Sequence, residues 1–184
     1  VAIGQGAGGD GVNAVAIGEA SVASGTGTIA IGASSSAVGA GTTAFGQGAY
    51  SYGAGAMAFG PASKAQNAGA TAFGQGTTAY GTNDTAIGNG AATVLGMAAS
   101  NDTAIGAGAL AYGGNGIALG VNASASAFNS VAIGFGSIAD TINTVSFGSV
   151  GNERRLVNLA DPIAGTDAVN LRYLNSRLSS TTTT

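Results

Sequence analysis

An all-β solenoid, wound as a narrow parallel β-roll, is the fold class that this sequence predicts. A tetrapeptide of the form Φ-Ala-Φ-Gly, where Φ is an apolar residue or Thr, returns every fourteen residues along most of the chain. It begins at residues 1, 15, 29, 43, 57, 71, 85, 103, 117, 131 and 145, with Ser146 in place of Ala in the last copy. A fixed period indicates an array in which each unit buries its apolar face against its neighbours.

Each unit contains two short strands. The second strand begins seven residues after the first, as in Tyr50-Ser51-Tyr52-Gly53, and Gly, Ser, Ala and Asn residues typical of turns separate the two. Because side chains alternate along a strand, the two Φ residues share one face and Ala takes the other. Eleven stacked units predict a rod about 50 Å long.

The alternation also predicts which side chains fill the roll. We expect the Φ residues to point inward, with Phe45, Phe59, Phe73 and Phe147 in the core. The alanine column then points outward, where small residues in register let another sheet approach closely, so we expect it to pack against other subunits. This alanine face consists of Ala16, Ala30, Ala44, Ala58, Ala72, Ala86, Ala104, Ala118 and Ala132.

Four tyrosines lie in the second strands. They are Tyr50, Tyr52, Tyr80 and Tyr112. If the second strands form the outer wall, some of these rings are exposed and available to a ligand; if the tyrosines keep the inward phase, they are core residues. The pattern leaves both interpretations open.

The repeats define a head domain at residues 1–150. Its one irregularity is an eighteen-residue step between Gly88 and Gly106, where fourteen residues are expected. The four extra residues lie within 89–102. Because insertions in arrays map to one face, we expect them to bulge outward as a loop.

Beyond the repeats, residues 151–178 follow a different pattern. Four of the five basic residues of the chain lie there. Thr166 or Asp167 can cap a helix, after which Leu171, Leu174 and Leu178 follow at the spacing of a coiled-coil seam. Residues 179–184, which end in a run of Thr, are expected to be frayed or foreign to the natural protein.

Composition excludes most chemistry. The chain has no His and no Cys, so the usual general base of serine triads, the commonest metal ligand and a reactive thiol are all missing. Asp84 and Asp102 each follow an Asn, which favours a role in turns over a catalytic carboxylate pair. Only 7% of residues are charged and the net charge is −3, which argues against nucleic-acid binding. We expect no enzyme activity, metal or cofactor, and no membrane contact by these residues.

Two motifs in a fixed order carry a family resemblance. Residues 129–137 read Asn-Ser-Val-Ala-Ile-Gly-Phe-Gly-Ser, and residues 13–21 read Asn-Ala-Val-Ala-Ile-Gly-Glu-Ala-Ser. Residues 167–174 read Asp-Ala-Val-Asn-Leu-Arg-Tyr-Leu. The chain resembles the YadA-like head and neck of trimeric autotransporter adhesins, whose head motif is Asn-Ser-Val-Ala-Ile-Gly-x-x-Ser and whose neck motif ends in Asp-Ala-Val-Asn-x-x-Gln-Leu. Tyr173 stands where the family has Gln, and the resemblance covers about residues 1–178.

The resemblance implies an architecture and a function. It implies a left-handed parallel β-roll, a homotrimer around one axis, and a neck that joins the head to a coiled-coil stalk. The function implied is adhesion and virulence at the bacterial cell surface, with an anchor in the Gram-negative outer membrane through a C-terminal region outside this sequence. The implied partners are extracellular matrix proteins such as collagen, fibronectin or laminin, host cells, or other bacterial cells in autoagglutination. The alternative is the receptor-binding domain of a trimeric phage tail fibre, in which similar Ala-Asp-Pro and Asp-Ala-Val segments occur.

The resemblance also supplies candidate residues. The candidate adhesive motif is Asn129, Ser130, Val131, Ala132, Ile133, Gly134 and Ser137. In the neck, the expected trimer contacts are Asp167, Val169, Asn170, Leu171, Leu174 and Leu178.

Overall fold

Residues 1–94 and 101–181 are described by a computed structural model, and within them the chain forms 21 short strands and one helix. In chain order the elements are β1 (Ala2–Ile3), β2 (Gly8–Gly9), β3 (Val15–Ile17), β4 (Val22–Ala23), β5 (Ile29–Ile31), β6 (Ser36–Ala37), β7 (Thr43–Phe45), β8 (Tyr50–Ser51), β9 (Met57–Phe59), β10 (Lys64–Ala65), β11 (Thr71–Phe73), β12 (Thr78–Ala79), β13 (Thr85–Ile87), β14 (Ala92–Thr93), β15 (Thr103–Ile105), β16 (Leu110–Ala111), β17 (Ile117–Leu119), β18 (Ser124–Ala125), β19 (Val131–Ile133), β20 (Ile138–Ala139), β21 (Val145–Ser146) and α1 (Leu171–Thr181).

The strands form two parallel sheets. Across the described residues, the eleven odd-numbered strands make one sheet, here called the first-strand sheet, and the ten even-numbered strands make the second-strand sheet. Each coil contributes one strand to each sheet and stacks on the next coil. The predicted all-β parallel roll with two strands per coil is confirmed.

Neighbouring coils keep a strict register. In the first-strand sheet Ala58 lies opposite Ala72, and Ala72 lies opposite Ala86. Across the eighteen-residue step the register continues, because Thr85 lies opposite Thr103. The outward loop predicted within 89–102 falls mainly on residues 95–100, which lie outside the described residues.

The interior of the roll is filled by small side chains. In the coil of residues 57–70, Ala58, Ser63, Ala65 and Ala70 point inward and are fully buried. Every buried apolar side chain among the described residues is an alanine, and the polar side chains buried with them are Ser, Thr and Asp. Interiors are close-packed, so two sheets joined by such short turns leave room only for side chains of this size.

This packing reverses the predicted orientation of the first strands. Ala16, Ala30, Ala44, Ala58, Ala72, Ala86, Ala104, Ala118 and Ala132 are all 0% exposed in the single chain. Their side chains are enclosed by their own coils and cannot reach another subunit, so the prediction of an outward alanine face was wrong. Phe45 and Phe73 are 49% and 56% exposed, and Phe59 and Phe147 are half-buried. The phenylalanines therefore lie outside the roll, because its narrow interior cannot hold a ring.

Most buried hydroxyl groups donate hydrogen bonds to backbone carbonyls of the turns. The Thr42 hydroxyl donates to the carbonyl of Gly39 at 2.8 Å, and the Ser63 hydroxyl donates to the carbonyl of Gly60 at 2.8 Å. In both cases the acceptor lies three residues earlier in the same turn. At these two positions a hydroxyl replaces the Ala methyl without leaving an unpaired donor, which would be costly in a dry core; the buried Ser35 hydroxyl, by contrast, has no partner among the described residues.

Two glycines, one on each side of β7, are required for different reasons. Gly46 follows β7 with a φ of +131°, and a Cβ there would lie 2.6 Å from the carbonyl carbon and oxygen of Gly60 in the next coil. Gly41 has a φ of +67°, but a Cβ there would meet nothing within 4 Å. Asn83 occupies the position equivalent to Gly41 two residues before a first strand, with a φ of 59°. Glycine is required at position 46 by both the close approach of the next coil and the backbone conformation, and at position 41 by the backbone conformation alone.

The chain divides into two compact units, Val1–Glu153 and Arg154 onward. In the second unit, α1 begins after Asn170, whose side-chain Oδ1 accepts a hydrogen bond from the Tyr173 N–H at 2.8 Å. Asn170 is therefore the N-cap, and the predicted cap at Thr166 or Asp167 was wrong. The Asp167 carboxylate instead accepts the N–H groups of Ile163 and Ala164, each at 2.9 Å, and so holds the turn that precedes the helix.

Candidate adhesive surfaces

The outer face of the first-strand sheet carries a strip of large apolar side chains. Two residues per coil, those that flank the inward alanine, point outward; the second is Ile, Phe or Leu from β3 to β19, and the first is Val, Ile, Met or Thr. Met57 and Ile117 are each 41% exposed. The rings of Phe45, Phe59 and Phe73 lie on consecutive coils with centroids 6.2 and 5.9 Å apart. A continuous apolar surface of this kind marks an interaction site.

The outer face of the second-strand sheet carries the tyrosines. Tyr52 is 55% exposed and Tyr112 is 36% exposed, whereas Tyr50 and Tyr80 are half-buried. Tyr50 and Tyr52 flank the buried Ser51, and their rings stack with centroids 6.2 Å apart. Of the two interpretations left open by the sequence, the tyrosines therefore follow the outward one.

The residues of the candidate adhesive motif are divided between the interior and the surface. Ser130, Ala132 and Ser137 are 0% exposed. The Ser130 hydroxyl donates to the carbonyl of Ala127 at 2.7 Å, and the Ser137 hydroxyl donates to the carbonyl of Ile133 at 2.6 Å. These three side chains build the coil and are inaccessible to a ligand in the folded head.

The remaining side chains of the motif reach the surface. Val131 and Ile133 belong to the outer face of the first-strand sheet and are half-buried. Asn129 is exposed in a turn with a φ of 54°, and its amide nitrogen donates to the Asn143 side-chain oxygen at 2.8 Å. The motif thus contributes two apolar side chains and one amide to the exterior.

Two buried carboxylates lie on successive coils at the irregular step. Asp84 accepts the N–H of Gly81 at 2.6 Å through Oδ2 and the N–H of Asp102 at 2.9 Å through Oδ1. Asp102 in turn accepts the N–H of Gly116 at 2.6 Å, while its Oδ2 has no hydrogen-bond partner among the described residues. The pair satisfies turn N–H groups on three coils, which agrees with the turn role that the sequence favoured.

The environment of Asp102 disfavours its charged form. Burial raises the pKa of its carboxyl above the ordinary value. The N–H of Gly116 opposes this shift, the nearby Asp84 carboxylate adds to it, and the N–H of Gly114 opposes it weakly. Sequence reasoning did not anticipate this burial. The repeat alignment contained a signal, because Asp84 and Asp102 directly precede a first strand. In other coils the same position holds small residues that are buried, namely Thr28, Thr42 and Ser130.

A polar cluster joins the neck segment to the helix. The amide nitrogen of Asn170 donates to the Leu159 carbonyl at 2.9 Å and to Asp161 Oδ1 at 2.8 Å. Arg172 donates to the same Asp161 oxygen at 2.8 Å. The hydrogen bonds from Arg172 and Asn170 lower the pKa of Asp161, and those from the N–H groups of Ala164 and Ile163 lower the pKa of Asp167. Asn170 and Asp167 therefore have structural roles within one chain.

The leucine seam of the helix is exposed in the single chain. Leu171, Leu174 and Leu178 are 70%, 45% and 57% exposed, and Val169 before the helix is 56% exposed. The helix itself is confirmed; its continuation as a coiled coil stays a prediction.

No group of three potential metal-ligating side chains occurs in the parts of the chain that are described. Within the same residues, the helix is too short and too polar to be a membrane-spanning segment.

The fold and its two outer faces define a repetitive β-roll with extended surfaces. The family model for the YadA head domain repeat (2 copies) matches residues 10–35, 23–49, 37–63, 51–77, 65–91, 99–123 and 125–149. The chain therefore belongs to the YadA head family and is an adhesin head, as the sequence motifs indicated. Heads of this family are cell-surface structures.

A solved structure supports the same assignment. The chain is similar to the crystal structure of the collagen-binding domain of the Yersinia adhesin YadA, with 34% sequence identity and a TM-score of 0.79. The match covers 86% of this chain and 86% of that domain. No significant match is found among curated protein sequences. These similarities favour the adhesin over the phage tail fibre.

Proposed function

We propose that this head forms a homotrimer and attaches bacteria to extracellular matrix or host cells by multivalent contact. The observation that carries the proposal is the repetition of one coil geometry, which presents the same two outward faces along the whole roll. One face is apolar and suits contact between subunits. The other face is mixed and suits contact with a ligand.

The first-strand sheet supplies the contact between subunits. Its apolar strip, which includes the adjacent rings of Phe45, Phe59 and Phe73, replaces the alanine face as the proposed trimer interface. Three such strips around one axis remove their side chains from water, and burial of a large apolar side chain contributes about 1.5–3 kcal/mol. In the neck, a separate set of apolar side chains serves contact between subunits, namely Val169, Leu171, Leu174 and Leu178, while Asp167 and Asn170 fix the backbone that presents them.

Matrix proteins are the proposed ligands, with collagen first. The reason is the similarity to a collagen-binding domain over most of both chains. Fibronectin, laminin, host-cell surfaces and other bacterial cells are further partners of the same kind. Three copies of a wall with many equivalent coils convert weak single contacts into avidity. We place the trimer on the outer membrane of a Gram-negative bacterium, carried by an anchor region of the same polypeptide.

Two measurements test the proposal. Light scattering is expected to give three times the 17.2 kDa mass of one chain. Phe59→Asp puts a charge into the apolar strip and is expected to yield monomers, whereas Ser24→Asp, an exposed residue beside the second-strand sheet, leaves the trimer intact. Solid-phase binding to collagen, fibronectin and laminin then compares trimer with monomer, and loss of avidity weakens binding by about 10²-fold or more. A wild-type monomer, or a trimer that binds no matrix protein, contradicts the proposal.

A further inference from the structure

Lys64 is an isolated cation in the middle of the second-strand sheet. It is the single basic residue of the first unit, residues 1–153. The neighbouring Ala65 is fully buried, so the exposed Lys64 points away from the roll. Strand pairing sets Lys64 between Tyr50 on the preceding coil and Thr78 on the next.

Tyrosines lie on the coil before Lys64 and on the coil after it. Gln66, two residues after Lys64, lies in line with Tyr52 on the preceding coil and Tyr80 on the next, since Ala65 is in register with Ser51 and Ala79. Tyr52 and Tyr80 are thus two coils apart, a distance of about 10 Å. We call this surface the Lys64 patch; it consists of Tyr50, Tyr52, Lys64, Gln66, Thr78 and Tyr80.

The charge of the patch is not neutralised from within the chain. Among the described residues, no acidic side chain forms an ion pair with Lys64. The exposed acids in line with Gln66 are Asp10 and Asp140, four and five coils away. That separation is about 20 Å or more, beyond the screening length of about 8 Å at physiological ionic strength. The patch is therefore complementary to an anion.

We propose that the Lys64 patch binds an acidic saccharide, a chain of pyranose rings that carries carboxylates. The ammonium group pairs with a carboxylate, and the tyrosine rings pack on the apolar faces of the sugar rings. Tyrosine hydroxyls, Thr78 and the Gln66 amide supply hydrogen bonds to sugar hydroxyls. The spacing of Tyr52 and Tyr80 is close to the length of a disaccharide unit, so each ring can meet an equivalent sugar. This inference rests on the proposed adhesive function, in which the second-strand sheet faces outward.

The test measures binding of a hyaluronan oligosaccharide, in which glucuronate alternates with N-acetylglucosamine, to the trimeric chain by calorimetry. An N-acetylglucosamine oligomer of the same length is the neutral probe, and polyglutamate is the acidic peptide probe. Lys64→Gln is expected to weaken hyaluronan binding by about fivefold per site, the effect of an exposed ion pair, whereas Lys64→Arg retains it. The double variant Tyr52→Thr/Tyr80→Thr is expected to weaken binding by about tenfold.

Matched controls separate the patch from general effects. Tyr112→Thr removes a tyrosine from the same column but away from Lys64, and Glu19→Gln changes the net charge by one unit at an exposed site elsewhere. Both are expected to leave binding unchanged. Thermal melts by circular dichroism establish that each variant is folded. Loss of binding on raising the salt concentration supports the ion pair.

Other outcomes overturn the inference. They are the absence of hyaluronan binding at millimolar concentration, an unaffected Lys64→Gln variant, equal binding of the neutral oligomer, or polyglutamate binding that the tyrosine variant keeps. Collagen binding is measured on the same preparations. A trimer that binds collagen but not hyaluronan refutes the saccharide inference alone. A trimer that binds hyaluronan but no matrix protein refutes the proposed protein ligands alone.

Discussion

Replacing Gly46 by Ala tests whether coil stacking, rather than turn conformation, makes this glycine necessary. The added Cβ would lie 2.6 Å from the Gly60 carbonyl group, where only backbone movement can relieve the contact. A non-glycine residue held at a φ of +131° is strained by about 1–3 kcal/mol. Overpacking against the next coil adds about 1–3 kcal/mol. The expected loss in the free energy of unfolding is therefore about 2–6 kcal/mol per chain.

Gly41→Ala is the matched control, five residues away and also in a turn. Its added Cβ meets nothing within 4 Å, so only the left-handed conformation opposes it, at about 1–2 kcal/mol. Gly41→Asn is expected to be milder still, because Asn tolerates this conformation and occupies the equivalent position at Asn83. Guanidinium unfolding followed by circular dichroism, at one fixed chain concentration, gives the three free energies. Equal losses for Gly46→Ala and Gly41→Ala would refute the reasoning.

Three further predictions concern acid and core size. Asp102 has a raised pKa in the folded state, so its charged form opposes folding at neutral pH, and this penalty disappears as the pH falls through the raised pKa. The Asp102→Asn variant is therefore expected to unfold at a higher denaturant concentration than the wild type at pH 7 and to lose this advantage in acid. An identical pH dependence for both proteins would count against it. Asp161 and Asp167 have lowered pKa values, so their charged forms stabilise the neck at neutral pH, and this stabilisation is lost below about pH 3.9. The loss is expected as a fall in the helical circular dichroism signal, and Asp161→Asn is expected to show the same fall already at pH 7. Ala72→Leu overfills the interior and is expected to lower the free energy of unfolding by about 1–3 kcal/mol or more. The control is Thr71→Leu, one residue earlier on the outer face, which is expected to be tolerated. Equal effects of the two substitutions would argue against a narrow core.

The repeat pattern predicted the coil correctly but not which side chains fill its interior. The fourteen-residue period and the paired strands are local properties, and both are present in the structure. The orientation failed because large apolar side chains are normally buried, and the prediction applied that rule to a single chain. In this roll the interior is too narrow for them, and they lie on its outer face, where we propose that other subunits bury them. Lys64-Ala65-Gln66 contained the signal: a charged residue and an amide cannot flank the interior, so Ala65 must face it, and the first strands follow the same alternation.

The site was predictable to a smaller extent. The motif of residues 129–137 identified the family, but three of its seven side chains serve the coil interior. The N-cap at Asn170 was missed because Asp167 precedes it and has an equally good capping side chain. Only the structure shows that the Asp167 carboxylate accepts hydrogen bonds from the N–H groups of Ile163 and Ala164 and so does not cap the helix. The Lys64 patch needs the register of three coils, which no local pattern supplies.

An interior made of interchangeable small side chains has a consequence for evolution. Away from the coils that hold Asp84 and Asp102, neighbouring coils meet through the same small buried side chains and the same pattern of backbone hydrogen bonds. A duplication or deletion of fourteen codons therefore adds or removes one whole layer and leaves both ends of the roll as they were. The length of the head can thus change in steps of about 4.8 Å, so the number of fourteen-residue repeats within the gene sets the length of the head.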